Sequence, residues 1–372
     1  MRILFMTTAL DYSGAPKMLS WVANRMAEKG HEVHLVAFFS DEQARKLDER
    51  IMFHALGASR DGGRLFRNTI GMLNTISKLH KTVRAIRPDV VISFLDSVGL
   101  VYLPVGRLFT KCKFVVSERA DPNFWGKKTA GIRSWLMGFA HGTVFQTTGA
   151  QRYFQKHKGI YADSTVIPNP VIIQETLREK LSEYQHSYAD RDNRIVTVGR
   201  LSLRQKRQDV LLDAFGIVHT KHPELKLVIY GDGEDQEKIR SLTEGKGLAD
   251  CVLLAGRTNQ VERDICSARA FALTSDYEGI PNALIEAMTV GVPCVSTDCS
   301  PGGAALLIRD GENGFLVPCG DVEAIADRLL KVVEDPLLAD QFATEGPKIS
   351  GEFSENRIAD LWEQYIECIC RK

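Results

Sequence analysis

Two glutamates, Glu278 and Glu286, stand where a buried strand passes through a turn into a helix. The run Ala270-Phe271-Ala272-Leu273-Thr274-Ser275 has strand length and apolar character, and the residues after Pro281 have helical composition. A carboxylate inside the helix can accept hydrogen bonds from ribose hydroxyls, and one at the turn can face a sugar. The pattern therefore predicts a divided nucleotide-sugar site. The alternative is a pair of acids that only stabilise a helix start.

The same turn predicts a phosphate site. Gly279 permits a tight turn, after which the helix begins. The backbone amides of residues 282–284 and the helix dipole both favour an anion at this end of the helix.

A basic loop follows an earlier predicted strand and contains Arg200 and Lys206. A leaving nucleoside diphosphate gains negative charge as its bond to the sugar breaks. A guanidinium and an ammonium can stabilise that charge without a divalent metal ion. A solvated basic surface is the alternative interpretation.

The chain has 372 residues, of which 44% are hydrophobic and 25% charged, as in ordinary globular proteins. About 150 residues per domain is a usual length, so two domains are expected. Residues 1–170 carry 24 Lys and Arg and 13 Asp and Glu, whereas the remaining residues carry 23 and 34. The first half is therefore the candidate for an anionic partner.

Apolar strand-like runs alternate with amphipathic helical stretches, which is typical of parallel sheets covered by helices. The alternation breaks at 166–170 and in the charged stretch 175–194. We therefore expect an α/β protein with two doubly wound domains, 1–170 and 171–353, and a final helix within 354–372. The predicted strands are 3–8, 32–38, 90–93, 113–117, 143–146, 195–199, 226–231, 252–255, 270–274, 293–297 and 314–317.

Gly231-Asp232-Gly233 follows a predicted strand and superficially resembles a dinucleotide-binding loop. Gln236 replaces the third glycine, and the neighbouring acids would repel a pyrophosphate. We therefore interpret this segment as a strand-to-helix turn.

Other classes of site are not indicated. The eight cysteines are scattered without CxxC spacing, which favours reduced thiols and no metal site. The most apolar region, 90–109, is interrupted by Asp96 and Arg107, so a transmembrane helix is not expected. No secretion signal is evident, and we expect a cytoplasmic protein.

The combination resembles the retaining GT-B glycosyltransferases of family 4. The motifs that carry the resemblance are Gly199-Arg200 with Lys206, the two glutamates framing residues 279–285, Ile167-Pro168-Asn169-Pro170 and Asp310-Gly311-Glu312-Asn313-Gly314. The resemblance extends over nearly the whole chain. It implies a GT-B fold, in which two Rossmann-like domains face a cleft and the C-terminal helix crosses back to the N-terminal domain.

The resemblance also implies roles for individual residues. The donor diphosphate is assigned to Arg200 and Lys206, the ribose to Glu286, the transferred sugar to Glu278, Gly279, Ile280, Pro281 and Asn282, and a phosphate to the amides near Ala283 and Leu284. Glu278, Arg200 and Lys206 become the candidate catalytic residues. Front-face displacement is implied, with no protein nucleophile, cofactor or metal ion.

Two positions depart from the family pattern. Many relatives have Gly-Gly in the first loop, where this chain has Ser13-Gly14, so only Gly14 is expected to let the backbone approach the diphosphate. Many relatives place a histidine after the fourth N-terminal strand, where this chain has Glu118-Arg119, similar to capsule and exopolysaccharide enzymes. Glu118 and Arg119 are candidate acceptor contacts, and a salt-bridged loop is the alternative.

Residues 123–139 mix aromatic and basic side chains in the basic half of the chain. Trp125, Trp135 and Phe139 could embed in an anionic membrane surface, and a core helix is the alternative. RNA binding is not indicated, because no nucleic-acid module is recognisable.

The function expected is transfer of a hexose or N-acetylhexosamine from a UDP-sugar to a lipid-linked glycan acceptor during cell-surface polysaccharide biosynthesis. The enzyme is expected in the cytoplasm, peripherally on the inner membrane. Two alternatives remain open: a sugar-nucleotide epimerase of the same architecture, and a non-catalytic scaffold of a polysaccharide-assembly complex.

Overall fold

The computed structural model describes residues 1–10, 14–39, 46–58, 69–94, 97–119, 121–122, 126–156, 163–172 and 187–372. The chain divides into two compact units. The first comprises Met1–Asn169 and Asn356–Lys372, and the second comprises Pro170–Glu355. Each unit is built on one parallel β-sheet covered by helices.

The first unit has a seven-stranded sheet in the order β3-β2-β1-β4-β5-β6-β7. Its strand pairs are parallel, and β1, β4 and β5 are runs of almost entirely buried residues, as expected for a sheet covered on both faces. Its elements are β1 (Arg2–Thr7), α1 (Gly14–Glu28), β2 (Glu32–Phe39), β3 (Met52–Ala58), α2 (Thr69–Ile86), β4 (Val90–Phe94), α3 (Ser97–Phe109), β5 (Lys113–Glu118), α4 (Gly126–Met137), β6 (Gly142–Phe145), α5 (Thr148–Lys156) and β7 (Ser164–Val166).

One apolar core joins four helices of this unit to the sheet. It contains Leu79 of α2, Leu103 of α3, Met137 of α4 and Phe154 of α5, packed with strand residues such as Phe114. Helices α2–α5 therefore pack against the same part of the sheet.

The second unit has a six-stranded sheet in the order β10-β9-β8-β11-β12-β13. Its strand pairs are also parallel. Its elements are β8 (Asp192–Val198), α6 (Leu203–Lys206), α7 (Gln208–Lys221), β9 (Lys226–Tyr230), α8 (Gln236–Gly245), β10 (Val252–Gly256), α9 (Val261–Ile265), β11 (Ala268–Leu273), α10 (Asn282–Thr289), β12 (Cys294–Thr297), α11 (Gly303–Leu307), β13 (Phe315–Val317), α12 (Val322–Glu334), α13 (Pro336–Glu345) and α14 (Ile349–Glu352).

The last helix, α15 (Glu355–Arg371), belongs to the first unit apart from its first residue. Trp362, Ile366 and Ile369 are buried. The Trp362 ring stacks on Phe94 at the end of β4, with centroids 5.6 Å apart. The Tyr365 hydroxyl lies 3.3 Å from the carbonyl oxygen of Thr143 in β6 and also donates to the carbonyl of Asp163. The helix is thus part of the first unit's core.

The sequence-based strand predictions are confirmed, with ends that differ by at most three residues. Four elements of the first unit were not predicted: β3, α3, α5 and β7. The amphipathic pattern of residues 65–87 also predicts a helix, and α2 is present over part of that range; residues 65–68 lie outside the described ranges.

Candidate functional site

A salt bridge between Lys206 and Glu278 lies beyond the carboxyl ends of two neighbouring strands, β8 and β11. Lys206 ends the short helix α6, and Glu278 lies in the loop before α10. The Lys206 ammonium donates to Oε1 of Glu278, and the Ser275 hydroxyl donates to the same oxygen at 2.7 Å. The two charged side chains are 16% and 10% exposed. Because little water reaches the pair, its attraction is screened less than that of a surface pair.

Three further hydrogen bonds fix α6 against the segment after β11. The backbone amide of Asp276 donates to the Gln205 carbonyl at 2.9 Å. The Gln205 side chain donates to the Tyr277 carbonyl at 3.2 Å, and the Thr274 hydroxyl donates to the Lys206 carbonyl at 2.9 Å. These bonds join residues that are far apart in sequence and set the position of Lys206 relative to Glu278.

Arg207 connects α6 to α7 in a left-handed conformation, with φ 49° and ψ 47°. Such a conformation is unusual for a residue other than glycine. The guanidinium donates to Asp209 at 3.1 Å and to Asp276 at 3.0 Å. Hydrogen bonding to Asp209, and then to Asp276, raises the pKa of Arg207. Two carboxylates therefore hold the turn that follows Lys206.

Gly231 and the residues after it form the turn between β9 and α8. Gly231 has φ 138°, and a Cβ atom there would lie 1.8 Å from the carbonyl oxygen of Gly199. The Leu201 amide donates to the Asp232 carbonyl at 2.8 Å. The turn thus packs directly on the loop that follows β8. This close packing explains why position 231 is a glycine, and no bound dinucleotide is needed to explain it.

The Glu278 loop rests on the segment between β12 and α11. The Glu278 amide donates to the Ser300 carbonyl at 2.8 Å. A Cβ atom on Gly303 would lie 1.7 Å from the carbonyl oxygen of Gly279. Glycine at position 303 is therefore required for this loop to occupy its place.

Helix α10 starts directly after Pro281 and buries Leu284 and Ile285. Asn282, Ala283 and Glu286 are half-buried, and the spacing of Asn282 and Glu286 places them on one helix face. The predicted ribose carboxylate therefore shares a face with the start of the helix. The Leu284 amide donates to the Pro281 carbonyl at 3.1 Å, so one of the amides assigned to phosphate already has an intrahelical partner.

Arg200 is exposed and lies between Gly199 and the buried Leu201. Its carbonyl accepts a hydrogen bond from the Gln208 side chain at 2.9 Å, which fixes the backbone at this position. Within the described ranges, no hydrogen bond or ion pair engages its guanidinium. The charge is available to an anionic ligand.

The candidate acceptor residues of the first unit lie in a buried polar network. Glu118 is buried and lies 3.5 Å from the Arg133 guanidinium of α4. Arg119 donates to Asn169 at 3.0 Å, and its guanidinium lies 4.5 Å from the ring centre of Phe94. Burial lowers the pKa of Arg119 to about 9. These contacts match the salt-bridged alternative, and acceptor binding by either residue stays a prediction.

Gly14 is the first residue of α1 and is exposed. The three residues before it, including Ser13, lie outside the described part of the chain. The predicted contact of Gly14 with a diphosphate stays a prediction.

The aromatic and basic segment 123–139 forms α4 from Gly126 onward, and Trp125 lies outside the described residues. Arg133 and Met137 are buried, whereas Ile132 and Trp135 are 62% and 65% exposed. One face of the helix therefore joins the core, as the core-helix interpretation requires, and another carries exposed apolar side chains.

In the described part of the chain, no helix combines the length and apolar character needed to span a bilayer. In the same ranges, no three His, Cys, Asp or Glu side chains are grouped so that they could hold a metal ion.

Two Rossmann-like units with parallel sheets match the architecture expected of GT-B glycosyltransferases, and comparisons with known proteins agree. The family model described as "Glycosyl transferases group 1" matches residues 179–349, and "Glycosyltransferase Family 4" matches residues 12–175. Together the two models match residues 12–175 and 179–349, and the chain is a GT-B, family 4-like glycosyltransferase.

Individual relatives are similar over nearly their full lengths. An alpha-1,4-N-acetyl-D-galactosaminyltransferase of Campylobacter jejuni, named for a GalNAc- and diNAcBac-containing undecaprenol-PP acceptor, is 24% identical over 98% of both chains. The amylovoran biosynthesis glycosyltransferase AmsD of Erwinia amylovora is 22% identical over 98% of this chain and 99% of its own. The structure of Anabaena HepE in complex with UDP has a TM-score of 0.80 and 19% identity, covering 99% of this chain and 100% of HepE.

Lys206 and Glu278 were predicted from the sequence to belong to one donor site, and the structure shows a direct contact between them that was not predicted. Ser275, Gln205 and Asp276, which hold this pair, were not identified from the sequence. For Ser275 and Asp276 the available signal was their position just after a buried strand, because hydrogen bonding to α6 depends on the tertiary fold.

Proposed function

We propose that this protein transfers a hexose or N-acetylhexosamine from a UDP-sugar to a glycan acceptor in cell-surface polysaccharide biosynthesis, with retention of configuration and without a metal ion. The observation that carries the proposal is the Lys206–Glu278 pair, which the Ser275 hydroxyl holds. The exposed Arg200 lies in the same segment after β8 as Lys206. The names of the Campylobacter and Erwinia relatives support the polysaccharide context.

The donor would bind the second unit. Oε1 of Glu278 accepts hydrogen bonds from both Lys206 and Ser275, and among the described residues no hydrogen bond engages Oε2. That oxygen can accept a hydrogen bond from a sugar hydroxyl. Lys206 and Arg200 would offset the charge of the diphosphate, and Glu286 would accept from the ribose.

In the proposed reaction, the bond between sugar C1 and the β-phosphate oxygen breaks as the acceptor oxygen bonds to C1 on the same face. The acceptor proton passes to the leaving phosphate oxygen. Charge grows on the diphosphate as the bond breaks, so fixed cations stabilise the transition state more than the bound donor. The alpha linkage in the Campylobacter relative's name supports retention, since UDP-sugar donors with an α-linked sugar then give an α-linked product.

The acceptor would bind the first unit and carry a lipid diphosphate, as the acceptor in the Campylobacter relative's name does. Such an acceptor would bring the enzyme to the cytoplasmic face of the inner membrane. The exposed apolar residues Ile132 and Trp135 of α4 support a peripheral association.

A thermal-shift panel tests the donor. UDP and UDP-sugars should raise the melting temperature more than GDP, ADP or their sugars, because a ligand that binds only the folded state stabilises it by mass action. Stabilisation by GDP- or ADP-sugars alone would reject UDP.

Product analysis tests the reaction. Incubation of each stabilising UDP-sugar with an undecaprenyl-diphosphate-linked oligosaccharide should give an extended glycan with an α linkage. Conversion of the UDP-sugar to its epimer without acceptor would identify an epimerase instead. Binding of partner proteins with neither transfer nor donor hydrolysis would identify a scaffold.

A further inference from the structure

A basic cavity lies at the amino edge of the first unit's sheet. Helices α2 and α3 return from the carboxyl edge, as crossovers between parallel strands must, so both end at this edge. A cavity of about 1200 Å³ lies between the end of α2, the end of α3 and the start of β5.

The charged side chains that line this cavity are mostly cations: Arg84, Arg87, Lys111 and Lys113. The lining has one carboxylate, Asp89, whose Oδ2 accepts a hydrogen bond from the Arg2 amide at 2.7 Å. Among the described residues, no ion pair neutralises any of the four cations. A group of cations that repel one another is suited to an anionic partner.

Apolar side chains border the same cations. Leu108 and Phe109 end α3, line the cavity, and are 73% and 67% exposed. Helix α4 packs on α3 and carries the exposed Trp135 near its own end at the amino edge. Apolar side chains beside unpaired cations match a partner that is anionic at its surface and apolar beneath it. A bilayer of anionic lipids has this arrangement, and a nucleic acid does not.

We propose that this amino-edge surface docks on a membrane of anionic lipids. Arg84, Arg87, Lys111 and Lys113 contact lipid phosphates, while Leu108 and Phe109 insert between acyl chains. This inference rests on the proposed function, because a lipid-linked acceptor would give the enzyme a reason to bind such a membrane. It adds to that function the residues that contact the membrane.

Co-sedimentation of the full chain with vesicles tests the proposal. The protein should bind vesicles of equal parts phosphatidylglycerol and phosphatidylcholine, bind pure phosphatidylcholine poorly, and release as salt rises. Arg84→Gln/Lys111→Gln should weaken binding about thirty-fold, or about five-fold for each cation. Leu108→Ser/Phe109→Ser should weaken it about ten-fold or more, because less apolar surface is buried.

Matched controls lie on the second unit, where Lys221, Lys226 and Leu337 are exposed. Lys221→Gln/Lys226→Gln and Leu337→Ser should bind vesicles like the wild type. Unchanged binding by both amino-edge variants, equal binding to neutral vesicles, or equal losses in the controls would overturn the proposal. Loss of a dimer in sedimentation velocity, with vesicle binding unchanged, would assign the surface to a second copy of the chain.

Transfer to a water-soluble acceptor separates this inference from the proposed function. The amino-edge variants should keep transfer to that acceptor while losing vesicle binding. Vesicle binding by a wild-type protein that transfers no sugar would reject the proposed function and leave the docking surface standing. Sugar transfer by a wild-type protein that binds no vesicles would support the proposed function and reject the docking surface.

Discussion

Lys206 and Glu278 are 72 residues apart in the sequence, yet the ammonium of one donates directly to a carboxylate oxygen of the other. The Ser275 hydroxyl donates to the same oxygen. The contact joins the loops that follow two adjacent strands, β8 and β11. Removal of either charge would leave the other largely buried without its partner, so we expect the two residues to behave as a unit.

A double-mutant cycle measures this coupling. Lys206→Met and Glu278→Gln should each lower kcat/KM by about 100-fold, since each disturbs a fixed electrostatic group. The double variant should lose much less than the product of the two effects, with a coupling of about 1–3 kcal/mol. Additive losses in kcat/KM would mean that the pair has no joint role.

Arg200→Gln should lower kcat by about 100-fold or more, because its exposed guanidinium would stabilise charge on the leaving diphosphate. The fold should be unaffected, since only the backbone carbonyl of Arg200 makes a described contact. Steady-state kinetics with a saturating donor gives the measurement, and Arg204→Gln, an exposed arginine in α6, gives the control. Equal turnover in wild type and Arg200→Gln would remove Arg200 from the catalytic assignment.

Glu286→Gln should weaken donor binding by about ten-fold, the cost of losing a hydrogen bond to a charged group. Calorimetric titration with UDP measures this change, because UDP contains the ribose but lacks the transferred sugar. Glu237→Gln, at an exposed position of α8, is the control. A dissociation constant that does not change for UDP would argue against ribose binding by Glu286.

Gly303→Ala should displace the Glu278 loop, because the added methyl would lie 1.7 Å from the Gly279 carbonyl oxygen. Misplacement of about 1 Å at such a site can cost about 100-fold in rate. Gly216→Ala, inside α7, is the control, since its methyl would meet only Leu248 at 4.0 Å. The control should keep its activity and gain up to about 1 kcal/mol in unfolding free energy from helix propensity. Normal kcat/KM in Gly303→Ala would show that the loop tolerates the shift.

The stability of the first unit should decrease as the pH falls from 6.5 toward 4. His141 accepts a hydrogen bond from the Phe114 amide at 3.0 Å, and burial lowers the pKa of His141 from 6.5 to about 4. Between these values the unfolded chain binds more protons, so this contribution is present above pH 6.5 and is lost toward pH 4. Urea unfolding of His141→Phe should show a flatter pH dependence than the wild type.

His222 is the control of opposite sign. Its hydrogen bond to Glu334 raises the pKa of the imidazole, so its contribution is present below pH 6.5 and disappears as the pH rises through the raised value. His222→Phe should lose stability at acidic pH but little at alkaline pH. Identical pH slopes in the wild type and both variants would contradict the two assignments.

The sequence allowed most strands to be predicted because buried parallel strands are continuous apolar runs. β3 was missed because residues 52–57 are exposed or half-buried and include a histidine and a glycine, so neither an apolar run nor strict alternation is present. α3 was missed because its apolar residues surround the helix, and Pro104 lies inside it. A helical period can be recognised only when polar and apolar faces differ.

The candidate site was predictable to the level of residue types. Arg200, Lys206 and the two glutamates follow strand ends, which pattern alone can locate. The pairing of Lys206 with Glu278 was not predictable, since it depends on β8 and β11 being neighbours in the sheet. The burial of Arg119 against Phe94 and Trp362 could not be predicted either, because Trp362 lies on the last helix of the chain, far from Arg119 in sequence.

The position of that last helix in the sequence affects how the protein folds while it is being synthesised. The second unit is one continuous segment, Pro170–Glu355, whereas the first unit is completed only by Asn356–Lys372. Because domains generally fold as units while the ribosome elongates the chain, the segment that begins later can finish folding earlier. The nascent amino-terminal portion must wait for Trp362, Ile366 and Ile369 to emerge, so ribosome-bound chains that end before α15 should be protease-sensitive in that portion alone.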